Sequence, residues 1–152
     1  MTSKTITSEE STARLELLEA RACVTDLVYR YAQNIRTGKF SDCLSLFTDD
    51  AVFEVREAPL GDQGPGHTRS RMTGHEAILS YLTQGASSGG GICPLIHNLL
   101  VDVNGHEAAS SCVMMAIIGA SGKNILGAYQ DSYRYDCNWR FTARIFTILA
   151  GT

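Results

Sequence analysis

"GAYQDSYRYDCNWRF", residues 127–141, places an acid among three tyrosines at every second position. An extended strand turns alternate side chains to one face, so Tyr129, Asp131, Tyr133 and Tyr135 share a side. The break near Cys137-Asn138 then makes the stretch a β-hairpin. On either side of it, residues 94–103, 108–119, 124–135 and 139–149 all read as strands, separated by Asn104-Gly105, Ser121-Gly122 and the Cys137 turn. Those connections are too short for helical crossovers, which implies an antiparallel meander.

The chain before the meander is helical in pattern. Over residues 11–37, Val24, Leu27, Val28, Tyr31, Ala32 and Ile35 recur at three- and four-residue steps, and Gly38 ends the run. Residues 41–48 suggest a short second helix with Ser41 as N-cap, and "AVFEV" (51–55) a strand with Phe53 and Val55 on one side. Residues 57–72, with two prolines and three glycines, read as a long surface loop. Thr73 and Glu76 have capping-box spacing ahead of a helix burying Ile78, Leu79 and Leu82, and residues 84–91 follow as a flexible connector. Helices first and a meander last predict one α+β domain over 11–152, behind a flexible tail at 1–10.

The 152 residues suffice for one core, and 44% hydrophobic with 19% charged residues is a globular balance. A net charge of −3 without a basic run points away from nucleic acid. The polar start MTSKTITSEE and the absence of any apolar run of about 20 residues point to a cytoplasmic chain with no membrane partner. Cys23, Cys43, Cys93, Cys112 and Cys137 show no CxxC spacing, and the histidines are dispersed, so no metal site is expected. Walker, GxGxxG and GxSxG patterns are missing, which leaves nucleotide and serine-hydrolase chemistry without support.

"DLVYRYAQNIRTGKFSDCLSLFTDDAVFEV", "TGHEAILSYL", "PLIHNLLVDVNG" and "GAYQDSYRYDCNWRFTARI" together resemble, in order and spacing, the nuclear transport factor 2-like superfamily, and within it the SnoaL-like and scytalone dehydratase-like members. The resemblance spans roughly residues 15–149. It implies a cone-shaped α+β barrel around a deep pocket, a homodimer or homotrimer, and no metal or organic cofactor. Members include dehydratases, dehydrochlorinases, ketosteroid isomerases and polyketide cyclases, alongside binding and assembly modules.

Carried over position by position, the resemblance makes His97 the general base of the dehydratase and dehydrochlorinase branches. Their helix carboxylate is replaced by Arg36, and the isomerase branch's strand aspartate by Val55. Tyr31 and Asp131 match that branch's pocket tyrosine and second acid. The resulting expectation is a cofactor-independent lyase or isomerase acting on a small hydrophobic, aromatic or polycyclic molecule. His97 shuttles a proton, and Asp131 orients it or acts as acid. Arg36, Tyr31 and Tyr129 bind an oxyanion, while Phe53 and Val55 complete the substrate-binding set. The alternatives are a non-catalytic ligand-binding module, a polyketide cyclase-like enzyme, or the small β-type subunit of an oxygenase. In these the acids and tyrosines are edge or core residues, and Arg36 is a cation favouring the end of its helix.

Overall fold

The local chemistry of the chain ends sets where the first helix runs. In the computed structural model, which describes residues 5–62, 64–87 and 91–151, helix α1 spans Ser8–Arg36. Its start is fixed by a capping box: the Glu10 amide donates to Thr7 Oγ1 at 3.1 Å, and the Thr7 amide donates to Glu10 Oε2 at 2.9 Å. The helix thus takes in residues 8–10 of the expected tail, and residues 1–4 lie outside the described residues. Its buried stripe is Val24, Leu27, Val28, Tyr31 and Ala32, whereas Leu15, Leu17 and Leu18 in the first half are exposed. Among the described residues no helix is long and apolar enough to cross a membrane.

Helix α2 is a single short turn, Phe40–Leu44, shorter than the expected 41–48. Lys39 occupies the N-cap position and makes no side-chain cap bond, so Ser41 lies inside the helix. Strand β1 (Phe47–Glu57) begins earlier than expected and keeps Phe53 and Val55 on its buried side.

Strand β2 (His67–Thr73) occupies the second half of the segment expected to be a loop, pairing antiparallel with β1. It is an edge strand, exposed except at Ser70 and Met72, so it lacks the apolar alternation that marks a strand in sequence. Thr73 belongs to this strand rather than capping the next helix, and α3 runs from His75 to Ser87. It includes the first four residues of the expected connector, whose residues 88–90 lie outside the described set. A 3.0 Å hydrogen bond between His75 Nε2 and the Phe47 carbonyl ties its start to β1.

The meander follows its reading closely: β3 (Ile92–Asn104), β4 (Glu107–Ile118), β5 (Lys123–Tyr135) and β6 (Trp139–Gly151) pair antiparallel in sequence order. The sheet order is β2-β1-β6-β5-β4-β3, with β1 and β6 parallel. The architecture is therefore α+β, a strongly curved and mainly antiparallel sheet packed by helices. It is not a closed barrel, because β2 and β3 remain as edges. Tyr31, Phe47, Phe53, Tyr129, Tyr133 and Phe141 bring α1 and the concave face into one aromatic core.

Candidate functional site

Two β-bulges decide which polar groups face the interior. In β4, Ser110, Cys112, Met114 and Ala116 point inward. Opposite them, Ile96 pairs with Met114 and Val101 with Ser110, but two residues, Asn98 and Leu99, fit between the His97–Val113 and Leu100–Ser111 pairs. The extra residue shifts the alternation, and Asn98 adopts φ 52° there. Strict alternation back from Val101 would turn His97 inward; the bulge turns it outward beside Val113.

The second bulge lies in β6. Phe141 opposes Tyr133, and Ala143 opposes Ser132, so Thr142 is the unpaired residue. Counting alternate residues from Phe141 would place Arg144 outside. The bulge places it inside, directly opposite Asp131. Sequence alternation therefore misses Arg144, and the only signal for it would have been an extra residue in the hairpin's returning strand.

Arg144 is wholly buried, and its Nε lies 3.2 Å from Asp131 Oδ1. Its guanidinium carbon sits 3.6 Å from the Tyr129 ring centre, 4.2 Å from that of Tyr31 and 4.9 Å from that of Phe141. Aromatic faces thus supply much of the stabilisation that water would give the cation. None of its three nitrogens makes a hydrogen bond of good geometry among the described residues. Asp131 Oδ2 receives only long bonds, from Tyr133 Oη at 3.4 Å and Ser110 Oγ at 3.5 Å, while those two hydroxyls bond each other at 2.7 Å. Burial pushes the Asp131 carboxyl up to about 6, against the pull of the adjacent guanidinium and the two hydroxyls. Burial works against the Arg144 charge, yet the Asp131 carboxylate and the surrounding phenols more than offset it and raise its pKa.

Above this pair lies a cavity of about 420 Å³. Its enclosed end is formed by Tyr31, Phe53, Met114, Ala116 and Tyr129, all buried, and its open end by the exposed Arg36, Gly38, Gly85 and Gly91. Ile92, Ile125 and Phe146 form intermediate walls. Among the described residues, the polar side chains lining it are three tyrosines, Tyr31, Tyr81 and Tyr129, and the single cation Arg36. Burial raises the pKa of all three phenols, that of Tyr129 to about 12, while Arg144 pulls Tyr31 and Tyr129 the other way. These phenols are therefore neutral hydrogen-bond donors at neutral pH. Among the described residues neither the Tyr31 nor the Tyr129 hydroxyl has a protein partner, which leaves both free to meet a ligand.

The structure brings Tyr31, Tyr129, Phe53 and Arg36 to one cavity and puts Asp131 behind its tyrosine wall. Val55 is buried in the core next to it without lining it. His97 is exposed in a shallow groove with Tyr29, Gln33 and Leu95, and the expected His97–Asp131 contact is not made, because the β3 bulge turns the imidazole outward while the buried carboxylate faces Arg144. That groove shares Arg36 and Pro94 with the cavity. Of the other two tyrosines on the row of Tyr129 and Asp131, Tyr133 is buried, whereas Tyr135 is exposed and packs on Trp139. Residues overlooked in the sequence are Arg144, Phe146 and Tyr81. The last two had no mark beyond their hydrophobicity.

Burial pushes the Cys43 thiol up to about 12 and that of Cys112 to about 11, so neither is a nucleophile near neutral pH. Among the described residues no group of three or more His, Cys, Asp or Glu side chains is placed to hold a metal ion.

The fold has many relatives among solved structures. A nuclear transport factor 2-like protein with a cystatin-like fold from Novosphingobium aromaticivorans superposes with a TM-score of 0.77 at 21% identity, over 96% of this chain and 92% of its own. A candidate scytalone dehydratase from the same organism gives 0.72 at 22% identity, over 92% and 90% of the two chains. The hexachlorocyclohexane dehydrochlorinase of Novosphingobium barchaimii gives 0.72 at 18% identity, over 91% and 92%. At these identities the likeness is one of fold. No curated protein sequence matches the chain. A family model for the SnoaL-like domain matches residues 16–145, and the chain belongs to that family.

Proposed function

We propose that the protein binds a small, mainly apolar ring compound in the cavity, with an oxygen function held by Tyr31 and Tyr129 at the enclosed end. The observation that carries this reading is the pairing of unpartnered phenol hydroxyls with a buried cation against their rings. A guanidinium on the π face draws electron density from a phenol and strengthens its O–H as a donor. A carbonyl or phenol oxygen is the matching acceptor, and the surrounding Phe53, Met114 and Phe146 match an aromatic or polycyclic body. Arg36 at the open end suits a second, acidic oxygen on the same ligand.

Cofactor-independent lyase or isomerase chemistry is the second reading. The donors that bind a carbonyl also stabilise the enolate formed when a neighbouring proton leaves. The observation favouring it is that His97 sits one wall away, across the shared Arg36 and Pro94. In this reading His97 takes the proton, and Asp131 fixes Arg144 against the tyrosines. Relatives bearing the names scytalone dehydratase and dehydrochlorinase support elimination as the reaction. Assembly as a homodimer or homotrimer belongs to the same proposal.

Calorimetric titration with 2-naphthoate, an aromatic ring bearing an acidic oxygen, tests the first reading. Wild type binds, Tyr129→Phe binds at least about tenfold more weakly, and wild type failing to bind would reject it. Turnover of hydroxylated aromatic and steroid substrates by His97→Ala and Asp131→Asn tests the second. Full activity in both variants sinks it, since neither group would then serve the proton transfer.

A further inference from the structure

Most glycines with an unusual backbone here occupy turns, where positive φ is required. Gly127 is different: it lies within β5 with no positive φ, on the inward row between Ile125 and Tyr129. A Cβ at this position would collide with Phe146 Cε2 and come within 2.9 Å of its Cζ and 3.1 Å of the Thr147 carbonyl. The missing side chain is thus the seat of the Phe146 ring, an aromatic ring covering a strand glycine on its neighbour. A register shift between Leu126 and Gly127, with Gly127 opposite Ile148, helps bring the two strands' side chains into this relation.

Phe146 is also a wall of the cavity, and its ring centre lies 5.1 Å from that of Tyr129. A side chain at 127 pushes on the ring from the β5 side. The Thr147 carbonyl belongs to the sheet ladder and cannot yield, and Tyr129 blocks movement toward the enclosed end. The remaining space is the cavity.

We infer that Gly127 is a specificity-determining position that sets the usable length of the cavity by seating Phe146. With the ring seated, about 420 Å³ is open, enough for a ligand of two or three fused rings reaching from Tyr129 to the open end. With the ring displaced, a single ring still fits beside Tyr31 and Tyr129, and a longer fused system does not. The inference rests on the binding reading above and adds the class of ligand: fused polycyclic phenols or ketones in preference to monocyclic ones. Gly127 acts through Phe146 and is a positioning residue.

The test compares 2-hydroxyanthracene with 4-ethylphenol as probes, by fluorescence and calorimetric titration. Wild type prefers the three-ring probe. Gly127→Ala weakens that probe by about tenfold or more, equivalent to roughly 1.4 kcal/mol, and changes 4-ethylphenol by less than about threefold. The double variant Gly127→Ala/Phe146→Ala removes the collision and restores the three-ring preference. A general loss of folding would lower both affinities together, so the ratio separates size selection from stability.

An unchanged ratio in Gly127→Ala, or a double variant that melts normally and still discriminates against 2-hydroxyanthracene, overturns the inference alone. Should Gly127→Ala not fold, Phe146→Ala and the double variant decide. Both must keep or strengthen the three-ring preference, and a preference for 4-ethylphenol in either overturns the inference. Wild type binding neither probe overturns this inference and the binding reading together.

Discussion

Glu54 and Asp131 are both shielded carboxylates facing arginine, and the protein treats them in opposite ways. Glu54, on the outer side of β1, accepts from Thr68 Oγ1 at 2.7 Å, Arg56 Nε at 2.8 Å and Arg71 Nη1 at 3.0 Å. Its arginines keep contact with water, with side chains 22% and 60% exposed. The Arg56 and Thr68 bonds outweigh what burial costs the Glu54 charge and hold its pKa below the usual carboxylate range. Asp131 faces an arginine with no exposure, accepts only long bonds, and has its pKa raised by burial. The lesson is that solvent near the cation and hydrogen-bond geometry, not the presence of an ion pair, set the sign of the shift. A well-satisfied pair braces the β1–β2 edge. A poorly satisfied one inside keeps a cation pressed against two cavity-lining phenols.

The largest break in this comparison comes from removing one interior partner. Asp131→Ala leaves Arg144 buried without a counter-charge and should lower unfolding free energy by about 3–5 kcal/mol in urea titration. Replacing both, as Asp131→Leu/Arg144→Met, should recover most of that loss, because an apolar pair needs no solvation. The same double variant should still weaken 2-naphthoate binding, because the tyrosines lose the cation behind them. Stability recovered together with unchanged binding would reduce Arg144 to a core residue.

The pH dependence sharpens the contrast in sign. A folded-state pKa of about 6 for Asp131 lies above its unfolded value of roughly 3.9, so its contribution favours folding most in acid and declines as pH rises through that window. Glu54 has a lowered pKa, so its contribution is present above the unfolded value of roughly 4.3 and is lost as pH falls through the folded one. Stability curves of Asp131→Asn and Glu54→Gln, each divided against wild type, should slope in opposite directions below pH 6. Parallel slopes would contradict the assignment. At neutral pH Glu54→Gln should cost about 1 kcal/mol, the scale of a water-exposed ion pair.

The smallest effect belongs to His97→Ala. An exposed strand residue whose side chain makes no hydrogen bond among the described residues should shift stability by less than about 0.5 kcal/mol and leave 2-naphthoate affinity unaltered. A marked fall in that affinity would mean that His97 reaches the ligand, and would move weight to the proton-transfer reading.

The meander was legible because its inner rows alternate, as at Tyr129, Asp131 and Tyr133, and because its turns carry Asn-Gly and Ser-Gly pairs. The first helix was legible from Val24 to Tyr31, although its start at Ser8 depended on a capping box that hydrophobic spacing does not register. Strand β2 escaped because an edge strand of arginines and serine has no buried periodicity, and its pairing with β1 is what holds it. Of the site, Tyr31 and Arg36 were placed by resemblance and Tyr129 by strand alternation, and the three meet at the cavity. His97 was placed by the same resemblance and Arg144 was overlooked; a local register change turns the first outward and the second inward, against the alternation of their strands. Such changes depend on cross-strand pairing, which a single strand's residues do not disclose.

The two bulges also suggest how a lineage could trade chemistries. Gaining or losing one codon within β3 or β6 would rotate every side chain on one side of the irregularity by half a turn, leaving the helices and the rest of the sheet in place. A basic group could be retired to the surface, or a cation recruited to the interior, in a single heritable step without remaking the cavity. A strand that tolerates an extra residue is in that sense a hinge between one repertoire of reactive groups and another.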